Sequence, residues 1–284
     1  MSGLAQERER LIGHAEALAP VMRAKDSDVS NDVFKGLFAL PGLSRREKGF
    51  VKIFPRAESH LLVLNEILSH RVAVTCGIPS PYTFPIAVPR CLVEKQSRVI
   101  DTYDPDGNEC ILGVGSLDGN PGQISQKVNA KHVIPQLMSW RYVAAAAAFD
   151  ELIGNGDRHL GNLLRTGPSE FVLIDQERMV FERNWLASGL DGLQDQRCDS
   201  NILATTVSEG PDELLRRRMM NCAQSLMSET LFAPAEHDLA FAQVIGVEGR
   251  VLEFFDYLNE RKRGLPFLMQ WHLEKGDLFR TSTA

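Results

Sequence analysis

Gly154-Asn155-Gly156-Asp157-Arg158-His159-Leu160-Gly161-Asn162 stands near the middle of the chain, and thirteen residues after Asn162 the apolar run Phe171-Val172-Leu173-Ile174 ends in Asp175. Gly154 and Gly156 permit a tight turn that lifts Asp157 out of the preceding element. The intervening Asn162 to Asp175 reads as strand, turn at Gly167-Pro168 and strand, so Asn162 and Asp175 are expected to meet across a hairpin. A carboxylate, an amide oxygen and a second carboxylate would then converge.

Working outward, Phe50-Val51-Lys52-Ile53-Phe54 reads as a strand with one cation among apolar neighbours, and Pro55 closes it. Lysine in such a strand calls for an anion, and a phosphate would serve. Residues 57 to 76 have helical spacing, with Leu61, Leu64, Leu68 and Val72 on one stripe and Gly77 as the stop. Glu66 lies in this helix, in register with Leu62, Ser69 and Ala73, and is expected to pair with Lys52.

The remaining pattern divides the chain. Residues 4 to 24 read as a helix, 32 to 54 as largely extended, and 82 to 115 as short strands with a hairpin at Asp104-Pro105-Asp106-Gly107-Asn108. Pro135 opens a long helix to about Ile153, and five consecutive alanines, 144 to 148, fit close helix packing. Residues 211 to 230, 236 to 246 and 248 to 262 also read as helices, and an irregular tail is expected from Pro266. The expectation is an α+β fold of two lobes: residues 1–115, small and β-rich, and residues 116–284, larger and helical. Their junction falls in the glycine-rich passage Gly113 to Gly122, with a nucleotide cleft between the lobes.

Bulk properties narrow the class. The 284 residues are 44% hydrophobic and 24% charged, enough for a substantial core. A net charge of -6 disfavours nucleic acid as the direct partner, since that binding rests on clustered cations. Five scattered cysteines without a CxxC pair fit reduced thiols in the cytoplasm better than disulfides or zinc. The longest bland apolar run, Val143 to Phe149, is far short of the roughly 20 residues a membrane span needs.

Phosphoryl transfer requires a cation on the nucleotide, metal held against the phosphates and a carboxylate beside the attacking hydroxyl. Lys52, the Asn162 and Asp175 pair, and Asp157 suit those tasks in turn, with Mg²⁺ as a hard ion for oxygen ligands. Each has a plainer rival: Asp157 and Asn162 as turn formers, Lys52 as an edge-strand charge, Glu66 as a solvated helix residue. Their order and spacing favour the joint assignment. His159 is open between positioning Asp157 or a phosphate and bracing the loop; Arg158 is open between facing solvent and holding a neighbouring loop.

These residues resemble the HipA-like kinases, a bacterial branch related in core motifs to the phosphoinositide 3- and 4-kinases. The similarity is carried by Phe50-Val51-Lys52-Ile53-Phe54, Asn65-Glu66-Ile67-Leu68 with Gly77-Ile78-Pro79-Ser80-Pro81, Ile153 to Asn162, and Leu173-Ile174-Asp175, covering about residues 50 to 180. It implies a protein-kinase-like fold that binds ATP and Mg²⁺ and phosphorylates Ser or Thr of a protein. It makes Lys52 the phosphate-binding lysine, Glu66 its partner, Asp157 the catalytic base, with His159 beside it, and Asn162 and Asp175 the metal ligands. A cognate regulatory or antitoxin-like partner is a further implication.

The sequence departs from the better-known kinase patterns where Gln176-Glu177 follows Asp175 in place of Phe-Gly. No GxGxxG precedes Lys52, where Leu40 to Gly49 is the candidate phosphate loop. The alternatives are a lipid kinase, a nucleotide-binding protein without transfer, and AMP transfer. Residues 176 to 200 set Glu177, Glu182, Asp191, Asp195 and Asp199 against Arg178, Arg183 and Arg197, which disfavours an anionic lipid headgroup.

Overall fold

The computed structural model describes residues 12–20, 32–40, 43–54, 59–92, 110–117, 123–124, 130–181, 185 and 189–282. The hairpin expected at Asp104 to Asn108 and much of the Gly113 to Gly122 passage lie outside the described residues. Two compact units are present. The first comprises Met1–Leu68, Pro81–Gly119 and Ala235–Val251, and the second Ser69–Ser80, Asn120–Pro234 and Leu252–Ala284.

The first unit is built on a closed five-stranded barrel. Its strands are β1 (Gly13–Pro20), β2 (Asp32–Ala39), β3 (Arg46–Ile53), β4 (Thr83–Pro89) and β5 (Cys110–Leu117), in the order β1-β2-β3-β5-β4. Neighbours are antiparallel except β1 and β4, which run parallel with Gly13 opposite Ile86. Phe34, Phe38, Val51, Ile53, Phe84, Ile86, Val88 and Ile111 fill the core. Alternation in β3 buries Val51 and Ile53 and leaves Lys52 on the other face. Gly49 is required by close approach, since a Cβ there would lie 2.1 Å from the Ser116 carbonyl oxygen.

The helix expected over residues 4 to 24 is overturned where it can be followed, because Gly13–Pro20 is β1. Alanine, leucine and glutamate favour helix locally, but pairing with two strands outweighs a propensity worth a few tenths of a kcal/mol per residue. Gly113 and Gly115 lie inside β5 and not in a linker. Residues Arg90–Leu92 form a 3-10 turn where Cys91 to Val93 read as an apolar strand-like run.

Helix α1 (Ser59–Thr75) contributes residues to both units, ending at Gly77, whose φ of 66° and amide bonded to the Val74 carbonyl make the expected stop. Residues 61–70 are buried on every face, so the stripe anticipated in the sequence is only part of what is covered.

The second unit is mainly helical, with a small sheet of β6 (Gln123–Ile124), β7 (Leu163–Gly167) and β8 (Glu170–Leu173). The single helix expected from Pro135 to Ile153 is two: α2 (Ala130–Met138), which contains Pro135, and α3 (Val143–Leu152). Between them Trp140 turns inward, with its ring edge-on to Phe171 at 5.8 Å. The alanines of α3 let α4 (Ile202–Glu209) and α5 (Glu213–Glu229) pack closely on it. Helix α4 has no counterpart in the sequence reading.

Helix α6 (Glu236–Val244) belongs to the first unit, and α7 (Glu248–Ser282) replaces the tail expected beyond Pro266. Within the second unit Phe254, Leu258, Arg261, Leu265, Met269, His272 and Gly276 fall on one 3-4 spaced buried stripe. Burial along that stripe offsets the roughly 3 kcal/mol penalty of an interior proline. Among the described residues, no helix is long and apolar enough to cross a membrane.

Candidate functional site

In the first unit, Lys52 projects from β3 opposite Val33 of β2 and Val114 of β5. Its Nζ lies 2.8 Å from Glu66 Oε1 and 5.0 Å from the centre of the Phe54 ring. Both side chains are largely buried, at 15% and 10% exposure. A cation this desolvated needs a countercharge, and the glutamate from α1 provides one while holding the ammonium in a single direction.

In the second unit, the loop after α3 is organised from beneath. Asp150, fully buried near the end of α3, receives Arg158 on both oxygens, Nε to Oδ2 at 2.8 Å and Nη2 to Oδ1 at 3.0 Å. The remaining nitrogen, Nη1, donates to the carbonyls of Asn162 at 2.9 Å and Ile174 at 3.0 Å. Of the two roles open for Arg158, holding the loop is the one present. Burial pushes the Asp150 carboxyl up from its ordinary value, while Arg158 and Asn155 pull it the other way.

Around that clamp the three expected side chains are set. Asn155 donates from Nδ2 to Asp150 Oδ1 and accepts the Asp157 amide at 3.1 Å, fixing the turn that presents Asp157. Asn162 donates from Nδ2 to the Asp157 carbonyl at 2.8 Å, which leaves Oδ1 as the amide atom a cation would use. The Ile174 amide donates to the Asn162 carbonyl at 3.1 Å, and Leu163 is opposite Leu173, so β7 and β8 bring Asn162 beside the residue preceding Asp175. His159, exposed, accepts the Gly161 amide on Nδ1 at 2.9 Å and caps the 3-10 turn Leu160–Asn162. Its visible contact is therefore the bracing one.

Backbone strain is concentrated here. Asp175 has a φ of 61°, Val180 57° and Phe181 63°, conformations that cost a non-glycine residue about 1–3 kcal/mol each. The Val180 and Phe181 amides donate to the Ile153 and Gly154 carbonyls at 2.7 Å, and Arg261 stacks over the Phe181 ring at 4.9 Å. Gly154 has a φ of 65°, and a Cβ there would meet the Phe181 ring at 2.8 Å. Such over-determined strain clusters where side-chain direction matters.

Two further residues join the site. Glu177 is 3% exposed, and carboxylate oxygens of Glu177 and Asp175 lie within 4.8 Å of each other. Carboxylate oxygens at that separation are of the hard type a divalent cation such as Mg²⁺ takes, and Asn162 Oδ1 offers a third oxygen of the same type. Arg178 places Nη1 3.1 Å from Asp157 Oδ1. In the sequence Arg178 counts only towards the charge balance after Asp175, Glu177 towards that balance and as part of the Gln176-Glu177 departure, and no spacing rule gives either a role in the site.

No protein-family model matches the chain, and no curated protein matches it. Among solved structures it is similar to a Helicobacter pylori proinflammatory kinase, CtkA, at 13% identity, covering 88% of this chain and 98% of that one, with a TM-score of 0.38. A superposition this loose carries no inference about activity.

A second buried network supports the loop from α7. Glu151 meets Arg261 at 3.0 Å and His272 at 2.9 Å and accepts the Cys198 amide. Arg261 also donates to the carbonyls of Glu151, Leu193 and Gln194. Burial, reinforced by Glu151, pushes the Cys198 thiol well up, so it serves as a small core residue and not as a nucleophile.

Proposed function

We propose that the chain is an ATP- and Mg²⁺-dependent kinase of HipA-like type that phosphorylates Ser or Thr hydroxyls of a protein. The observation that carries this reading is the second unit's arrangement of Asp157, Asn162, Asp175 and Glu177. What supports it is that Asp175 and Glu177 bring carboxylate oxygens within 4.8 Å of each other, and that Arg158 and strained backbone hold the segments carrying Asp157, Asn162 and Asp175. Within the first unit, the Lys52 ammonium is directed by Glu66 and largely desolvated, as a phosphate ligand should be.

In this reading residues 1–115 form the nucleotide-holding lobe and residues 116–284 the catalytic lobe. Asp157 accepts the substrate hydroxyl's proton as that oxygen bonds to the γ-phosphorus and ADP departs. Lys52 orients the phosphates and Glu66 orients Lys52. Asn162, Asp175 and Glu177 would hold the metal, which when bound would neutralise charge on the phosphate oxygens. His159 keeps the loop turn in place through its ring nitrogen. Five free thiols fit a reducing cytoplasmic setting. A protein substrate and a cognate regulatory partner are the corresponding interactions.

Purified chain incubated with Mg²⁺ and γ-labelled ATP should label itself or a co-purifying protein, and the Asp157→Ala and Asp175→Ala variants should not. Label arriving from the α-phosphate would replace this reading with AMP transfer. Failure to bind nucleotide or to transfer from either position would remove it.

A further inference from the structure

Resting on the kinase reading, we propose that Arg178 is a catalytic residue that donates hydrogen bonds to the transferring phosphoryl group, an arginine finger supplied by the chain itself.

The two arginines of the site are used differently. Arg158 is 1% exposed and commits its guanidinium to both Asp150 oxygens and to two carbonyls, which makes it a structural clamp. Arg178 meets Asp157 with Nη1 at 3.1 Å, with side-chain exposures of 43% and 31%. A half-exposed ion pair adds little to stability, so folding does not account for its placement. The Arg178 Nε is shut off from solvent and has no hydrogen-bond partner among the described residues. Among the described residues Asp157 is therefore the partner this guanidinium has.

Position supplies the rest. A hydroxyl giving its proton to Asp157 must come within about 3 Å of that carboxylate, with the phosphorus on the hydroxyl's far side. A guanidinium already paired with the carboxylate, with up to three further Nη–H donors in hand, stands beside the equatorial oxygens. In the step itself the hydroxyl oxygen bonds to the γ-phosphorus. The bond from phosphorus to the β-bridging oxygen breaks with its electron pair leaving on ADP, and the proton passes to Asp157. Arg178 gains and loses no proton; it spreads the charge of the transferring group.

The test compares the parent chain with Arg178→Ala and Arg178→Lys. Arg178→Ala should lower kcat on the order of a thousandfold with KM for ATP near the parent's. It should bind Mg²⁺-ADP as the parent does, yet lose the extra affinity that tetrafluoroaluminate, a mimic of the transferring phosphoryl, gives the parent. Added guanidinium ion should restore part of the rate. Arg178→Lys should retain the fold and still fall well short of the parent, because a lysine lacks the planar fork. A kcat for Arg178→Ala within about tenfold of the parent, or unchanged tetrafluoroaluminate enhancement, overturns the assignment while leaving the kinase reading intact. A parent chain that binds ADP but transfers no phosphate overturns both.

Discussion

Replacing Arg158 by methionine removes four hydrogen bonds at once and strands the Asp150 carboxylate, leaving it the Asn155 amide at 3.2 Å. Breaking a buried ion pair from one side costs about 3–5 kcal/mol, and the Asn162 and Ile174 carbonyls add about 1 kcal/mol each if water does not reach them. A loss of about 5 kcal/mol is therefore expected, comparable to the whole stability of many domains. Asp150→Asn in the same background removes the stranded charge and should recover part of the loss. Urea unfolding followed by tryptophan fluorescence reads the effect directly, because Trp140 and Trp185 are buried in the same unit.

The pH dependence of this variant has a definite sign. Burial already holds the Asp150 carboxyl above its ordinary value, and without Arg158 the opposing pull is gone. The folded chain would then keep a proton that the unfolded chain releases near pH 3.9. The destabilisation should be greatest above the raised folded value and should shrink as pH falls through it, so it is smaller at pH 5 than at pH 8. A single variant within about 1 kcal/mol of the parent, or a double variant no more stable than the single, would refute the picture of Arg158 as a neutralising clamp.

Two further perturbations probe packing away from the loop. Burial first, and the charge of Arg71 second, push the His70 imidazole down from 6.5 to about 4. The folded chain thus binds fewer protons than the unfolded chain in that window, and stability should fall by up to about 3 kcal/mol as pH drops through it. His70→Gln should flatten the dependence, and a variant whose urea midpoint falls with pH as much as the parent's would exclude His70 as its source. In α7, Gly276→Ala should gain about 1 kcal/mol from helix propensity. A Cβ at that position meets the Ser208 backbone at 2.6 Å, and overpacking of about 1–3 kcal/mol should reverse the sign. A thermal melt at or above the parent's would mean that α4 and α7 yield at this contact.

What could be read from the residues alone followed the range of the interactions involved. Helix α1, strands β2 and β3 and the β7–β8 hairpin are declared by local periodicity and turn chemistry, and the Lys52–Glu66 pair follows from an isolated charge in each of two apolar elements. Strand β1 was misread because its alanines favour helix until two partner strands claim their backbone. The end of α7 was misread because Pro266 reads as a stop, and because His272 and Gly276 occupy core positions of its stripe, where a hydrophobic pattern looks for leucine. The buried Arg261 charge is tolerable because Glu151 arrives from a distant helix to meet it, and the same carboxylate takes the His272 ring at 2.9 Å. The same holds at the candidate site. Asp157, Asn162 and Asp175 are recognisable by type and spacing, whereas Arg158, Glu177 and Arg178 acquire their roles from a buried partner, an approach to a second carboxylate and a left-handed backbone at Asp175. None of these leaves a periodic mark. A close-spaced motif can name the groups that would do chemistry, and long-range burial decides which neighbouring charges hold them in place and which stand ready for an anion.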